Sequence, residues 1–230
     1  WREGIAPGAL IGGTTVFRCD GGFDTNGHPI ADLAQAAHTD GARIANASWG
    51  APSAGEYDSL AQNVDGLVRD ARPDLPGNQE LAYVVAAGNE TGSIKELMTP
   101  GTAKNVITVG ASESVRPYPT SPGNPEGADA CGTTNAEADD PQQIPTWSLG
   151  GPTADGRMKP DLVAPATHVM GPRSQLSPPD WIGDAICGDQ TGAETDPLTI
   201  ASSGTSHAAP VVAGLAAVAR EAMTRSGGTP

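Results

Sequence analysis

An α/β fold is what this sequence predicts: a doubly wound, mostly parallel sheet with helices on both faces. Three observations carry that expectation. Short apolar runs alternate with segments of helical spacing along most of the chain. Strand–helix–strand repetition favours parallel pairing through crossover helices. At least one strand, 81–87 (LAYVVAA), is apolar without interruption, as strands buried on both faces are.

The elements follow in order. Ala9, Leu10 and Ile11 open an apolar segment that continues to Val16 and Phe17. Ile30, Leu33, Ala34 and Ala37 recur at helical spacing, so 30–39 is expected as a helix that Gly41 ends. Residues 43–48 follow as a short strand. Leu60, Val64, Leu67 and Val68 share one face of a second helix over 57–71, closed by Pro73 and Pro76. Strands are expected at 81–87, 105–110 and 162–164, and a last helix at about 206–223. Residues 113–146 and 171–200 break the rhythm. They are rich in Pro, Gly, Asp and Thr with little periodicity, and loops of that length inside a domain are usually functional or decorative insertions. No linker or internal repeat divides the 230 residues, so a single domain is expected.

Composition narrows the function. The 30 glycines and 21 prolines exceed a fifth of the chain, about twice the usual share, and mark a chain rich in turns. With 37% hydrophobic residues it is not a disordered chain, and with 4% aromatics its core is mainly Ala, Val, Ile and Leu. The net charge of −14, with no Lys/Arg cluster, argues against nucleic acid and against an anionic membrane surface as partners. The acidity serves solubility or cation binding, calcium in particular. Solubility is preferred, because no D-x-[DN]-x-[DN]-G loop is present. The longest apolar stretch, 210–219, is about half a bilayer span. Cys19, Cys131 and Cys187 form no C-x-x-C, which disfavours zinc. Cys131 and Cys187 lie in loop-like sequence, where they could pair or stay as thiols.

Three segments carry chemistry. The first is 204–214, GTSHAAPVVAG. Ser206 stands at the start of a helix, where free N–H groups and the positive dipole end favour a developing negative charge. Pro210 is expected in the first turn, where a missing N–H costs little. The residues after it are apolar nearly all round, which predicts a buried helix. The second is Ala86-Ala87-Gly88-Asn89-Glu90, at the carboxyl end of a strand, where ligands gather in open α/β sheets. An Asn there can turn its amide N–H toward an oxyanion. The third is Asn46-Ala47-Ser48-Trp49-Gly50, again at a strand end. Taken singly, these could be a helix cap, a turn and a packed Trp.

Taken together, they resemble the subtilisin-like serine proteases, the subtilases of peptidase family S8. Residues 204–214 match the family's G-T-S-x-A-x-P-x-V-A-G at every fixed position, 86–89 match its A-A-G-N, and 48–50 match its S-x-G. Further matches are 4–9 (GIAPGA), 99–111 (TPGTAKNVITVGA) and 148–165 (SLGGPTADGRMKPDLVAP). These are closest to the oxidatively stable alkaline protease branch, whose catalytic domain is followed by a β-barrel. The resemblance implies Ser206 as nucleophile and Asn89 as oxyanion-hole donor, with the backbone N–H of Ser206 beside it. It implies a substrate-binding wall of Ser48, Trp49 and Gly50 that takes an extended peptide as an added strand. Ala86, Ala87 and Gly88 are implied to bind substrate too, and the S1 base falls near Leu97 and Met98 as a largely apolar pocket. Protein or peptide substrates, a secreted location and a structural calcium follow from the same resemblance. No cofactor is required for the chemistry, and no calcium ligand set is readable.

The family's acid and base motifs, D-S/T-G and H-G-T, would precede the 4–9 segment, and neither occurs in these residues. His28, His38, His168 and His207 do not match H-G-T and are expected to be structural or solvated. Asp20 stands before Gly21-Gly22 but after the 4–9 segment, the wrong side for D-x-G. Because the chain opens on Trp1, it is expected to be a catalytic domain incomplete at its N-terminus and nearly inactive alone. The competing expectation is a non-catalytic peptide-binding pseudoprotease. A dinucleotide-binding domain is disfavoured, since no G-x-G-x-x-G follows a first strand.

Overall fold

The computed structural model describes residues 4–17, 23, 29–90, 96–172 and 198–228. Its centre is a four-stranded, all-parallel sheet in the order β1 (Ile44–Ala47), β2 (Ala82–Ala86), β3 (Ile107–Ser112), β4 (Leu162–Pro165). The register pairs Asn46 with Val84, Val85 with Thr108 and Val109 with Leu162.

Side-chain alternation along β2 divides the core. Tyr83 and Val85 face one cluster, which they share with Ala61, Val64 and Leu67 of α2 (Ser59–Arg69) and Ala34 of α1 (Ile30–Thr39). Val84 and Ala86 face a second, with Val109 and Ala111 of β3 and Ala208, Ala209 and Val212 of α3 (Thr205–Arg225). The helices therefore cover both faces, as a continuously apolar β2 requires. Asp58 caps α2, its carboxylate accepting the N–H of Ala61 at 2.9 Å.

Four expectations need correction. The apolar segment opening at 9–11 is not buried: Leu10 and Ile11 are almost wholly exposed, and no described strand lies beside them. Among the described residues nearby, Phe17 alone makes a bridge, to Phe23. Second, α3 is buried only in its first half. At 21 residues it is about 31 Å long, whereas strands of four to six residues reach only about 13–20 Å. The helix overhangs the sheet, which leaves Leu215 and Val218 exposed. Third, the 171–200 stretch is flanked by a two-stranded antiparallel unit, β5 (Val169–Pro172) with β6 (Thr199–Ser202). Residues 173–197 between them lie outside the described residues.

The fourth correction concerns Pro210. Helix α3 begins at Thr205, so Pro210 is its sixth residue and not part of the first turn. Its missing N–H is the one that would have bonded the carbonyl of Ser206. The hydroxyl of Ser48 donates to that carbonyl instead, at 2.9 Å.

The 113–146 segment is nearly free of regular structure. It holds one short 3-10 turn, Asn135–Glu137, and is tied down by buried side chains: Glu113 accepts from the N–H groups of Asp139 and Asp140.

Candidate active site

Ser48, Asn89 and Ser206 come from three separate elements: two adjacent parallel strands at their carboxyl ends and a helix at its start. Ser48 follows β1, Asn89 follows β2, and Ser206 is the second residue of α3. The Ser206 hydroxyl donates to the backbone carbonyl of Ser48 at 3.1 Å, the converse of the bond that covers the Pro210 gap. Asn46 orients this exchange, its Nδ2–H donating to Ser48 Oγ at 2.9 Å. The end of β1 and the start of α3 are thereby joined by a reciprocal pair of hydrogen bonds.

Asn89 is fixed by the turn it faces. Its Oδ1 accepts the backbone N–H of Thr205 at 2.7 Å and the Thr205 hydroxyl at 2.9 Å, and Thr205 Oγ1 accepts the N–H of Gly88 at 3.1 Å. With Oδ1 committed, Nδ2 is turned toward Gly204, where an added Cβ would lie 3.2 Å away. Gly204 has φ +155° and ψ 152°, a region that only glycine occupies readily. Gly88, at φ +110°, lets the chain pass where a Cβ would come within 2.8 Å of Leu149 and Met98.

The remaining residues implied by the resemblance are placed unevenly. The backbone at 50–51 runs antiparallel to 98–99, with Ala51 and Thr99 exchanging two hydrogen bonds. Trp49 is half-buried, with its ring 5.3 Å from that of Phe23. Ala86, Ala87 and Gly88 are all buried, and the Ala87 carbonyl accepts the N–H of Met98, so Asn89 is the first exposed residue after β2. A cleft of about 180 Å³ is lined by Pro52, Ser53, Ala54, Glu90, Glu96, Met98 and Leu149. Alternation along the extended 96–99 segment sends Leu97 inward and leaves Met98 to line the cleft. Met98 and Leu149 share this lining with the carboxylates of Glu90 and Glu96.

The described histidines turn elsewhere. His207 Nε2 lies 2.7 Å from Ser202 Oγ, and His168 is buried between two carbonyls. His28, Asp20, Cys19 and Cys187 lie outside the described residues. Cys131 is disulfide-bonded. Among the described residues no three His, Cys, Asp or Glu side chains gather as a metal site, so the described donors do not fit a side-chain calcium cage and no step is routed through a metal.

Burial holds His207 below its ordinary value near 6.5, with the charge of Asp129 opposing the shift. The folded state therefore binds this proton less tightly than the unfolded chain does. Its contribution to stability is present above about pH 6.5 and is lost as the pH falls through the lowered folded value. Thermal unfolding is expected to show a midpoint that drops between pH 7 and pH 5, and His207→Gln is expected to flatten that slope. A slope unchanged by the substitution assigns the effect to other groups.

The subtilase family model matches residues 1–229. The chain belongs to the subtilase family. Among curated relatives of this subtilase, pyrolysin of Pyrococcus furiosus is 33% identical over 222 residues, 94% of this chain and 14% of that protein. Serine protease AprX of Bacillus subtilis is 30% identical over 138 residues, 60% of this chain and 25% of that protein. The subtilase thus spans a quarter or less of the length of these relatives. Among solved structures, the patellamide maturation protease PatA superimposes with a TM-score of 0.53 at 24% identity, covering 87% of this chain and 52% of that one, a likeness of fold.

Proposed function

We propose that this subtilase is a serine endopeptidase in which Ser206 attacks the peptide carbonyl and carries the acyl-enzyme. The observation that carries the reading is the bonding of Asn89 to the nucleophile turn. Asn89 Oδ1 is spent on Thr205, which leaves its Nδ2–H and the unbonded N–H of Ser206, at the helix N-terminus, as donors for an oxyanion. The substrate strand lies along Ser48, Trp49 and Gly50, where backbone pairing is indifferent to side chains. The proton of Ser206 passes to a base that none of the described histidines supplies; its hydroxyl bonds a carbonyl, an acceptor without basic strength.

These 230 residues, isolated, are accordingly proposed to be nearly inactive, as a catalytic domain without its Asp and His would be. A fluorophosphonate probe tests this: labelling of Ser206 is expected to be slow, and rapid labelling would sink the proposal. The same bond from Ser206 to Ser48 favours the second reading, a peptide-binding pseudoprotease. The gene sequence upstream decides between them: D-S/T-G and H-G-T motifs there make it an enzyme, and a start codon without them makes it a binding module.

Export is proposed on two grounds, the family likeness and the disulfide at Cys131, a bond that persists in oxidising compartments. No helix among the described residues is long and apolar enough to cross a membrane. Structural calcium is proposed on the family likeness alone. Addition of a chelator is expected to lower the unfolding midpoint, and an unmoved midpoint removes calcium from the account.

A further inference from the structure

The inserted segment 113–146 reaches the nucleophile turn through one buried carboxylate. Asp129 is fully buried. Its Oδ1 accepts the N–H groups of Cys131 at 2.9 Å and Thr133 at 3.1 Å, and its Oδ2 accepts the hydroxyl of Ser203 at 2.5 Å. Ser203 stands three residues before Ser206. Its Oγ also accepts the backbone N–H of His168 at 2.9 Å, and its own N–H donates to Cys131 Sγ at 3.3 Å. Ser203 is therefore gripped by the inserted segment on one side and by the β4–β5 corner on the other.

His168 carries the other half of the grip. It is 2% exposed and holds φ +50°, a conformation costly for a residue with a Cβ and sustained only where its surroundings enforce it. Its Nδ1 lies 2.6 Å from the Arg116 carbonyl and its Nε2 2.9 Å from the Thr133 carbonyl, both in the inserted segment. Carbonyl oxygens only accept, so both contacts are hydrogen bonds only if each ring nitrogen bears a hydrogen, as in the imidazolium form. Burial pushes the Asp129 carboxyl up from its ordinary value, and the bonds from Ser203, Cys131 and Thr133 and the facing charge of His168 oppose that shift and favour the carboxylate. Neither residue falls in the motifs that mark the family, and the chemistry proposed for Ser206 does not use them.

We propose that Asp129 and His168 form a charged latch that clamps Ser203 and so positions the turn presenting Ser206. Asp129 is a positioning residue and touches no reacting atom. The proposal rests on Ser206 being the nucleophile.

The test uses the full-length protein, with Asp129→Asn, Ser203→Ala and the double variant. The readouts are hydrogen exchange at the Gly204 and Thr205 amides and the rate of fluorophosphonate labelling. Both amides are hydrogen-bonded in the intact turn, to Ala166 O and Asn89 Oδ1. In each single variant they are expected to exchange about tenfold faster, while amides of β2 and β3 keep their rates. Labelling is expected to slow by a similar factor, and the double variant to be no worse than either single one, because both break one connection. Nitrogen-15 spectra are expected to show two ring N–H groups on His168. Equal acceleration across the turn and the sheet overturns the proposal, since that is general destabilisation, and so does unchanged exchange. A single ring N–H on His168 overturns the charged latch. If Asp129→Asn does not fold, Ser203→Ala alone decides. Labelling that survives Ser206→Ala refutes the nucleophile reading, while the exchange rates still report on the latch.

Discussion

Ser206→Ala is expected to abolish turnover wherever the protein works with its base. The loss is on the order of 10⁶ in kcat, a magnitude carried over from the loss of the nucleophile in a subtilisin. Peptide binding is expected to survive, because the proposed substrate strand pairs with backbone at Ser48, Trp49 and Gly50 and not with the Ser206 hydroxyl. The fold is also expected to survive. The Ser206 hydroxyl makes one bond, to the Ser48 carbonyl, whereas the bond covering the Pro210 gap uses the backbone carbonyl of Ser206 and the hydroxyl of Ser48. Steady-state kinetics with a peptide substrate, beside a thermal scan, checks both halves. Turnover that persists after the substitution removes Ser206 from the mechanism.

Asn89→Ala is expected to cost two things at once. Removing one donor to the oxyanion raises the barrier by about 2.7–4 kcal/mol, again the size measured in a subtilisin, or on the order of 10²–10³ in kcat. It also strips Thr205 of the acceptor for its N–H and its hydroxyl, at a position where Thr205 is fully buried. An unsatisfied buried group costs about 1–3 kcal/mol, so a lower unfolding midpoint is expected beside the lost rate. Asn89→Asp separates the two, since a carboxylate still accepts from Thr205 but offers no donor. Its kcat is expected to fall as far as that of Asn89→Ala while its midpoint stays closer to the parent. Equal midpoints for the two variants would show that the bonds to Thr205 carry no stability.

The parallel sheet was legible because its strands are short, continuous apolar runs and its first two helices keep their apolar residues on one face. The site was legible as three strings of residues, 48–50, 86–89 and 204–206. Its bonding was not. That Ser48 completes the helix of Ser206 depends on a separation of 158 residues and on where α3 starts, and neither is written in local spacing. Apolar patterning overstated burial twice, at Leu10–Ile11 and at Leu215–Val218, because a pattern states what a segment could cover and not whether a partner reaches it. The β5–β6 pair was missed because four-residue strands ending in Gly171-Pro172 carry almost no period-2 signal. Asp129 and His168 were hidden for another reason. They sit in or against a segment without periodicity, where buried polar bonds replace apolar packing as the organising force.

The Pro210 gap has a consequence for the order in which the molecule is made. Most α-helices close their first turns from within, using neighbours a few residues away. Here one rung of the ladder is supplied by Ser48, just after β1, in a part of the chain that leaves the ribosome long before α3. Closing so long a loop comes late in folding, after local contacts have formed. Ser206 is therefore seated only when β1 and α3 have met, and a half-folded chain presents a serine without its partners. On the proposed reading of Ser206 as the nucleophile, that delay withholds the cutting group until the chain that carries it has folded.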